Sequence, residues 1–222
     1  MRILNYKIIS FTLLIGLFLF SCDDQTDPAS AIDDNVLSYS SEQAENAAKS
    51  NRAIQQESVL YWWPPSDNEM EVDGANATLL RNKNGARINI QTRGLQPGHA
   101  YTVWVAVFDA PENCDGPCSG AERFREGNPA EATVFGAVAG GIAGGTGTAT
   151  FAGHIKPGDE PNDIAGPGDG SLDNPLTAEV HFIVRSHGPK IPGLINEQTT
   201  TLNGGCPPNS CEDVQFGRFF VP

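Results

Sequence analysis

From residue 57 to the C-terminus, no stretch of ten residues repeats its apolar side chains at helical spacing. Short runs that alternate, or are wholly apolar, recur there instead between clusters of Gly, Pro, Asn and Asp. Residues 75–82 and 86–93 form the clearest pair: Arg87, Asn89 and Gln91 alternate with Ile88, Ile90 and Thr92, and Asn84-Gly85 offers the positive φ of a tight hairpin turn. Ala100 to Phe108 is apolar on both faces, as expected of a central strand covered on both sides. Val59 to Trp63, stopped by Pro64-Pro65, reads as a strand, as do 131–138, 146–155, Ala178–Ser186 and 214–221, with Gly140-Gly141 and Gly144-Gly145 as turns. Ser119 with Glu122 has the spacing of a capping box for a helix of one or two turns, ended by Gly127 and Pro129. Seven or eight short strands and one short helix predict an all-β protein, an antiparallel Greek-key, immunoglobulin-like β-sandwich. The 24 glycines and 16 prolines among 222 residues suit many turns but fall short of a collagen or a wholly disordered chain.

The N-terminus carries an address. Arg2 and Lys7 precede an uncharged apolar run from Ile8 to Phe20, too short to span a bilayer, which needs about 20 residues. The run ends in Leu19-Phe20-Ser21-Cys22, which resembles the lipobox of bacterial lipoproteins. The resemblance implies that Cys22 becomes the new N-terminus, carrying a diacylglycerol thioether and an acylated (palmitate-type) amine that anchor the chain in the outer membrane. Asp23-Asp24 behind it resembles acidic export signals that place lipoproteins on the cell surface; a solvated linker is the other reading. The expected division is a signal peptide over 1–21, a flexible acidic tether over 22–56 with at most a marginal helix from Ser40 to Arg52, and the sandwich over 57–222.

Charge excludes one class of partner. With 27 acidic and 14 basic side chains the net charge is −13, and no Lys/Arg cluster offers a phosphate backbone its counter-charge, so nucleic acid is not expected.

Five cysteines leave four once Cys22 is lipidated: Cys114, Cys118, Cys206 and Cys211. In an oxidising compartment these predict two disulfides, and spacing leaves three connectivities open. The turn-forming residues inside Cys114-Asp-Gly-Pro-Cys118 and Cys206-Pro-Pro-Asn-Ser-Cys211 favour two local rings over crossed pairs; a zinc site of all four sulfurs is the functional alternative.

Period-two geometry puts Glu179, His181, Arg185 and His187 on one face of a strand. Same-face neighbours stand ~6.6 Å apart, so a metal there needs His99 or His154 brought alongside. Hydrogen-bonded or solvent-exposed histidines are the plainer expectation. The loop from Asp159 through Asp163 to Asp169 and Asp173 carries oxygen ligands of the kind Ca²⁺ takes, without EF-hand spacing. No nucleophile elbow, zinc-protease helix motif or phosphate loop is present in the sequence.

Gly94-Leu-Gln-Pro-Gly-His-Ala-Tyr-Thr-Val-Trp-Val-Ala-Val-Phe-Asp-Ala-Pro-Glu-Asn-Cys114, Ala178 to Gly188 and Leu202-Asn-Gly-Gly-Cys206 together resemble a family of secreted bacterial β-rich proteins. That resemblance implies a secreted β domain and carries no activity with it. A looser likeness to CHRD-type domains rests on the Gly-Leu-x-Pro-Gly turn and Gly-Thr-Gly-Thr-Ala-Thr-Phe151; their His-Ile-His stretch is missing here. The functional expectation is a lipid-anchored, non-catalytic binding or structural module of the cell envelope with an extracellular or envelope ligand. The alternative is an envelope enzyme or metal-binding protein built around His181.

Overall fold

The computed structural model describes residues 52–66, 68–159 and 170–222. The lipobox, Cys22 and the Ser40–Arg52 helix, apart from Arg52 itself, lie outside these residues, as does most of the acidic loop. Among the described residues no helix is long and apolar enough to cross a membrane.

Among the described residues, nine strands form two antiparallel sheets: β1 (Ile54–Ser58), β2 (Tyr61–Trp62), β3 (Asn76–Asn82), β4 (Gly85–Thr92), β5 (His99–Phe108), β6 (Ala132–Ile142), β7 (Ala149–Ile155), β8 (Glu179–Pro189) and β9 (Glu212–Phe219). One sheet has the order β1-β3-β4-β7 and the other β2-β9-β8-β5-β6. They pack face to face as an all-β sandwich.

The alternation read in the sequence sorts the side chains as the packing requires. Leu79, Ile88, Ile90 and Phe151 from the first sheet meet Val103, Val105, Val107, Val180, Phe182 and Val184 from the second in one buried cluster. Their partners on the outside of the first sheet, Arg87, Asn89, Gln91, Thr150 and His154, are exposed. That sheet has one dry face and one wet face, the usual division for antiparallel strands.

Several local expectations give way to the tertiary structure. β1 begins at Ile54, inside the stretch whose polar composition suggests a tether, because it has a partner: Ile54–Ser58 pairs residue by residue with Arg81–Ala77 of β3. The β3–β4 turn is Lys83-Asn84, closed by Asn82 Oδ1 accepting from Asn84 N at 2.8 Å, and of the expected Asn-Gly pair only Gly85 has positive φ. Gly85 belongs to β4 because a side chain there would meet the Ile155 carbonyl of β7 at 2.3 Å. Ser119 starts a 3-10 helix (Gly120–Phe124) without any side-chain cap, because Glu122 turns to Arg125 at 2.6 Å instead of back to residue 119. Gly140-Gly141 is no turn but part of β6. A six-residue helix that no periodicity announced, α1 (Ile195–Thr200), lays its Thr199 carbonyl against Gly140.

Candidate functional site

The second sheet differs from the first on its outer side. Strand register lines up Trp104 of β5, Ile183 of β8, Phe216 of β9 and Tyr61 of β2 as one cross-strand row. Four strands at ~4.8 Å spacing make that row ~14 Å long. Tyr61 and Phe216 rings lie 5.6 Å apart, and Trp63 stands edge-on to Phe216 at 5.9 Å, extending the row to the sheet edge. Trp104, Ile183 and Tyr61 stay half-buried, Trp63 is exposed, and Phe216 is covered by its neighbours.

Each side of the row carries a guanidinium fixed by a carboxylate. Arg185 lies over the Trp104 ring at 4.9 Å and donates to Asp213 at 2.7 Å. Arg218 lies over Phe216 at 5.0 Å and donates to both oxygens of Glu69, the shorter bond being 2.6 Å. Stacking and pairing together hold both cations flat against aromatic surface.

β8 distributes the histidine face that alternation predicts over two separate environments. At one end His181 Nε2 donates to Glu179 Oε1 at 2.6 Å, and its ring meets the edge of Phe108 at 5.1 Å. At the other end His187 is fully buried. Its Nδ1 faces the Gly204 carbonyl at 3.0 Å, which can only accept, so Nδ1 carries the proton. Its Nε2, 2.8 Å from Thr102 Oγ1, then accepts the hydroxyl, and Thr102 in turn accepts the Trp104 indole N–H at 3.3 Å. Burial pushes His187 below the usual histidine range, helped by the Arg185 charge and opposed by the Gly204 bond, which keeps this chain of donors neutral.

The five residues named as metal candidates therefore do not converge. His181 and His187 are six strand residues apart, ~20 Å. His99 pairs opposite Pro189 on β5, and His154 stands opposite Arg87 in the other sheet. Of the acidic loop, Asp159 caps the Lys156 amide at 2.7 Å and Asp173 accepts from Ser171 at 2.6 Å, while 160–169 lie outside the described residues.

The cysteines close the two local rings, Cys114–Cys118 and Cys206–Cys211. A four-sulfur zinc site is ruled out by distance: the first ring packs at the Phe108 end of β5 and the second against His187, near the His99 end, ~30 Å of strand away. The only trio of metal-ligating groups among the described residues is His187 with Cys206 and Cys211, whose ligand atoms lie within 4.8 Å of one another. Sequence reasoning placed His187 on the wrong partners because the 190–211 segment folds back over β8 through side-chain bonds that no spacing announces. Gln198 Nε2 donates to the His187 and Pro189 carbonyls at 3.2 and 3.0 Å, and Asn209 Nδ2 to the same two at 2.8 and 2.7 Å.

A third feature is an open groove of about 460 Å³ at the end of the four-stranded sheet, walled by Gly74, Gln91, Arg93, Thr148 and Thr150. It has no histidine, carboxylate or thiol in its wall.

No family model, curated protein or solved structure matches this chain. The class is set by its own geometry: a disulfide-bearing β-sandwich with one ordinary wet face and one face built of aromatic rings and paired charges.

Proposed function

We propose that this protein is a lipid-anchored module of the cell envelope that binds, without chemistry, a saccharide chain along the outer face of its five-stranded sheet. The observation that carries the reading is the cross-strand row Trp104–Ile183–Phe216–Tyr61 with its flanking Arg185–Asp213 and Arg218–Glu69 pairs. The ring surface left open on Tyr61, Trp63 and Trp104 suits the apolar faces of sugars, and the fixed pairs supply donors and acceptors together for their hydroxyls. Pairing leaves little free charge on the face, and the chain's net charge of −13 disfavours a polyanion, so the glycan is a neutral one. The lipobox and the acidic tether support anchoring at the outer membrane, with the sandwich held clear of the lipid.

Affinity electrophoresis of the full mature chain through gels containing neutral polysaccharides tests the binding face. Retardation should fall at least tenfold in apparent affinity for Trp104→Ala and Arg185→Ala and stay unchanged for Arg87→Ala on the opposite sheet. Retardation by none of a broad polysaccharide panel, or equal loss for Arg87→Ala, refutes the reading. Cys22→Ala should abolish lipid labelling and move the chain to the soluble fraction; a variant that still labels and sediments with membranes refutes the anchor.

An enzymatic reading built on His181 finds one favourable contact, the bond to Glu179, and no third His, Cys, Asp or Glu close enough to complete a metal-ligand trio among the described residues.

A further inference from the structure

The Cys206–Cys211 ring is not an isolated staple. His187 Nδ1 lies 3.4 Å from Cys211 Sγ, on the one trio of ligand-type groups in the described structure that closes to within 4.8 Å. Its counterpart, the Cys114–Cys118 ring, is set among Phe108, Ala130 and Ala132, and among the described residues it forms no such trio with a histidine. Two rings of similar size thus sit in chemically different surroundings.

Bonds other than its sulfur–sulfur link also hold this ring in place. Cys206 N donates to Asn203 O at 2.9 Å, Asn209 N to Gly205 O at 3.0 Å, and the Asn209 amide pins the loop to two β8 carbonyls. Gly204 and Gly205 are packed so closely on α1 that a side chain at either would collide with Glu197 or Gln198. With the disulfide opened, both thiols stay beside the imidazole. Both cysteines are half-buried, so a reductant and an ion can reach them.

We propose that reduction of Cys206–Cys211 converts this loop into a zinc site whose ligands are the two cysteine thiolates and His187 Nδ1. In the opening step a dithiol reductant attacks one sulfur. The S–S bond takes up two electrons and two protons to become two thiols, and the reductant leaves as its own disulfide. Zn²⁺ then displaces both thiol protons to solvent. The imidazole gives up its bond to the Gly204 carbonyl as its proton moves to Nε2, and the Thr102 hydroxyl turns from donor to acceptor, the outer hydrogen-bond partner that ligating histidines ordinarily have. Thiolate and imidazole are the donors that zinc favours, and bonds of ~2.3 and ~2.0 Å at tetrahedral angles set nitrogen and sulfur ~3.5 Å apart. The observed 3.4 Å between Nδ1 and Cys211 Sγ already meets that spacing. Two thiolates cancel the ion's charge in a site where the neighbouring Arg185 is itself neutralised by Asp213. Three protein ligands leave a fourth position open. The saccharide face needs no metal: the oxidised loop is part of the sandwich either way, and only the reduced loop takes the ion.

Zinc titration of the mature full chain against a chromophoric chelator, with a phosphine as reductant so that no added thiol competes for the ion, tests this. Expected are one zinc per reduced chain and none per oxidised chain, with the reduced stoichiometry kept in Cys114→Ser/Cys118→Ser and lost in Cys206→Ser/Cys211→Ser. His187→Ala should weaken binding at least a hundredfold. Because that variant removes a fully buried side chain and can fail to fold, cobalt(II) bound to the reduced wild-type chain provides a second reading: tetrahedral visible bands with a thiolate charge-transfer band. Zinc bound equally by the oxidised chain, stoichiometry lost with the Cys114/Cys118 pair, or an octahedral cobalt spectrum without thiolate absorption would each overturn the proposal.

Discussion

Replacing Gly140 by alanine puts a methyl carbon 1.9 Å from the Thr199 carbonyl oxygen and 2.9 Å from that of Tyr101. Side-chain carbons essentially never approach other atoms closer than 3.0 Å. The strand is held by its ladder to β5, so α1 has to retreat, by about 1 Å or more. What resists is the docking of Gln198, whose amide accepts from Ile191 N at 2.7 Å and donates to two β8 carbonyls. At about 1 kcal/mol for each bond, complete undocking sets a ceiling near 3 kcal/mol, and partial accommodation a floor near 1 kcal/mol. Urea unfolding of Gly140→Ala should therefore show a loss of about 1–3 kcal/mol, with a melting temperature lower by about 2–4 °C per kcal/mol. Amide exchange should accelerate at Gln198 and Thr201 while the β4–β7 ladder stays protected. Gly145→Ala is the control, since nothing lies within 4 Å of its added carbon and its φ is not positive. It should stay within about 0.5 kcal/mol of wild type. Equal stabilities for the two variants, with unchanged exchange at Gln198, would show that α1 is not seated on β6 as described.

Arg81 is fully buried with Nε and Nη2 unpartnered, and burial lowers its pKa to about 10, a cost of about 3 kcal/mol for the charged form. Arg81→Met should thus equal or exceed wild type in urea unfolding; a loss above about 1 kcal/mol would mean that the bonds to the Ala178 and Pro175 carbonyls outweigh the buried charge. Asp109 is raised above the usual carboxylate range by burial, against the pull of the Asn174 and Asp173 amides. The folded chain therefore holds that proton where the unfolded chain has released it, and this contribution to stability is present at low pH and lost as pH rises through the raised value. The wild-type minus Asp109→Asn difference in unfolding free energy should fall as pH rises above the ordinary aspartate value of about 4, and a flat difference refutes it. Reducing both rings removes about 2 kcal/mol of loop entropy each, so a lower melting temperature with an intact strand spectrum in circular dichroism is expected, and complete unfolding is the contrary result.

Alternation along the chain was enough to determine the sandwich. Ile88 and Ile90 against Arg87, Asn89 and Gln91, or Val180, Phe182 and Val184 in a row, leave one arrangement that dries one side, and that is a local property with period two. The local disulfide rings were legible as well, because their turn residues already bring the sulfurs together. Partners distant in sequence were not legible. β1 reads as linker until β3 pairs with it, Gly140 reads as a turn until α1 needs the space, and His187, expected on a strand face as a hydrogen-bonded or exposed histidine, is hydrogen-bonded but buried because residues 190–211 close over it. The aromatic row belongs to the same class. Trp104, Ile183, Phe216 and Tyr61 come from four strands whose register is set by bulges and long connections, and no spacing within one strand encodes which residue lies opposite. Solvent contrast along a single segment is written in its own residues; coincidence between segments is decided only when the sheets close on a shared core.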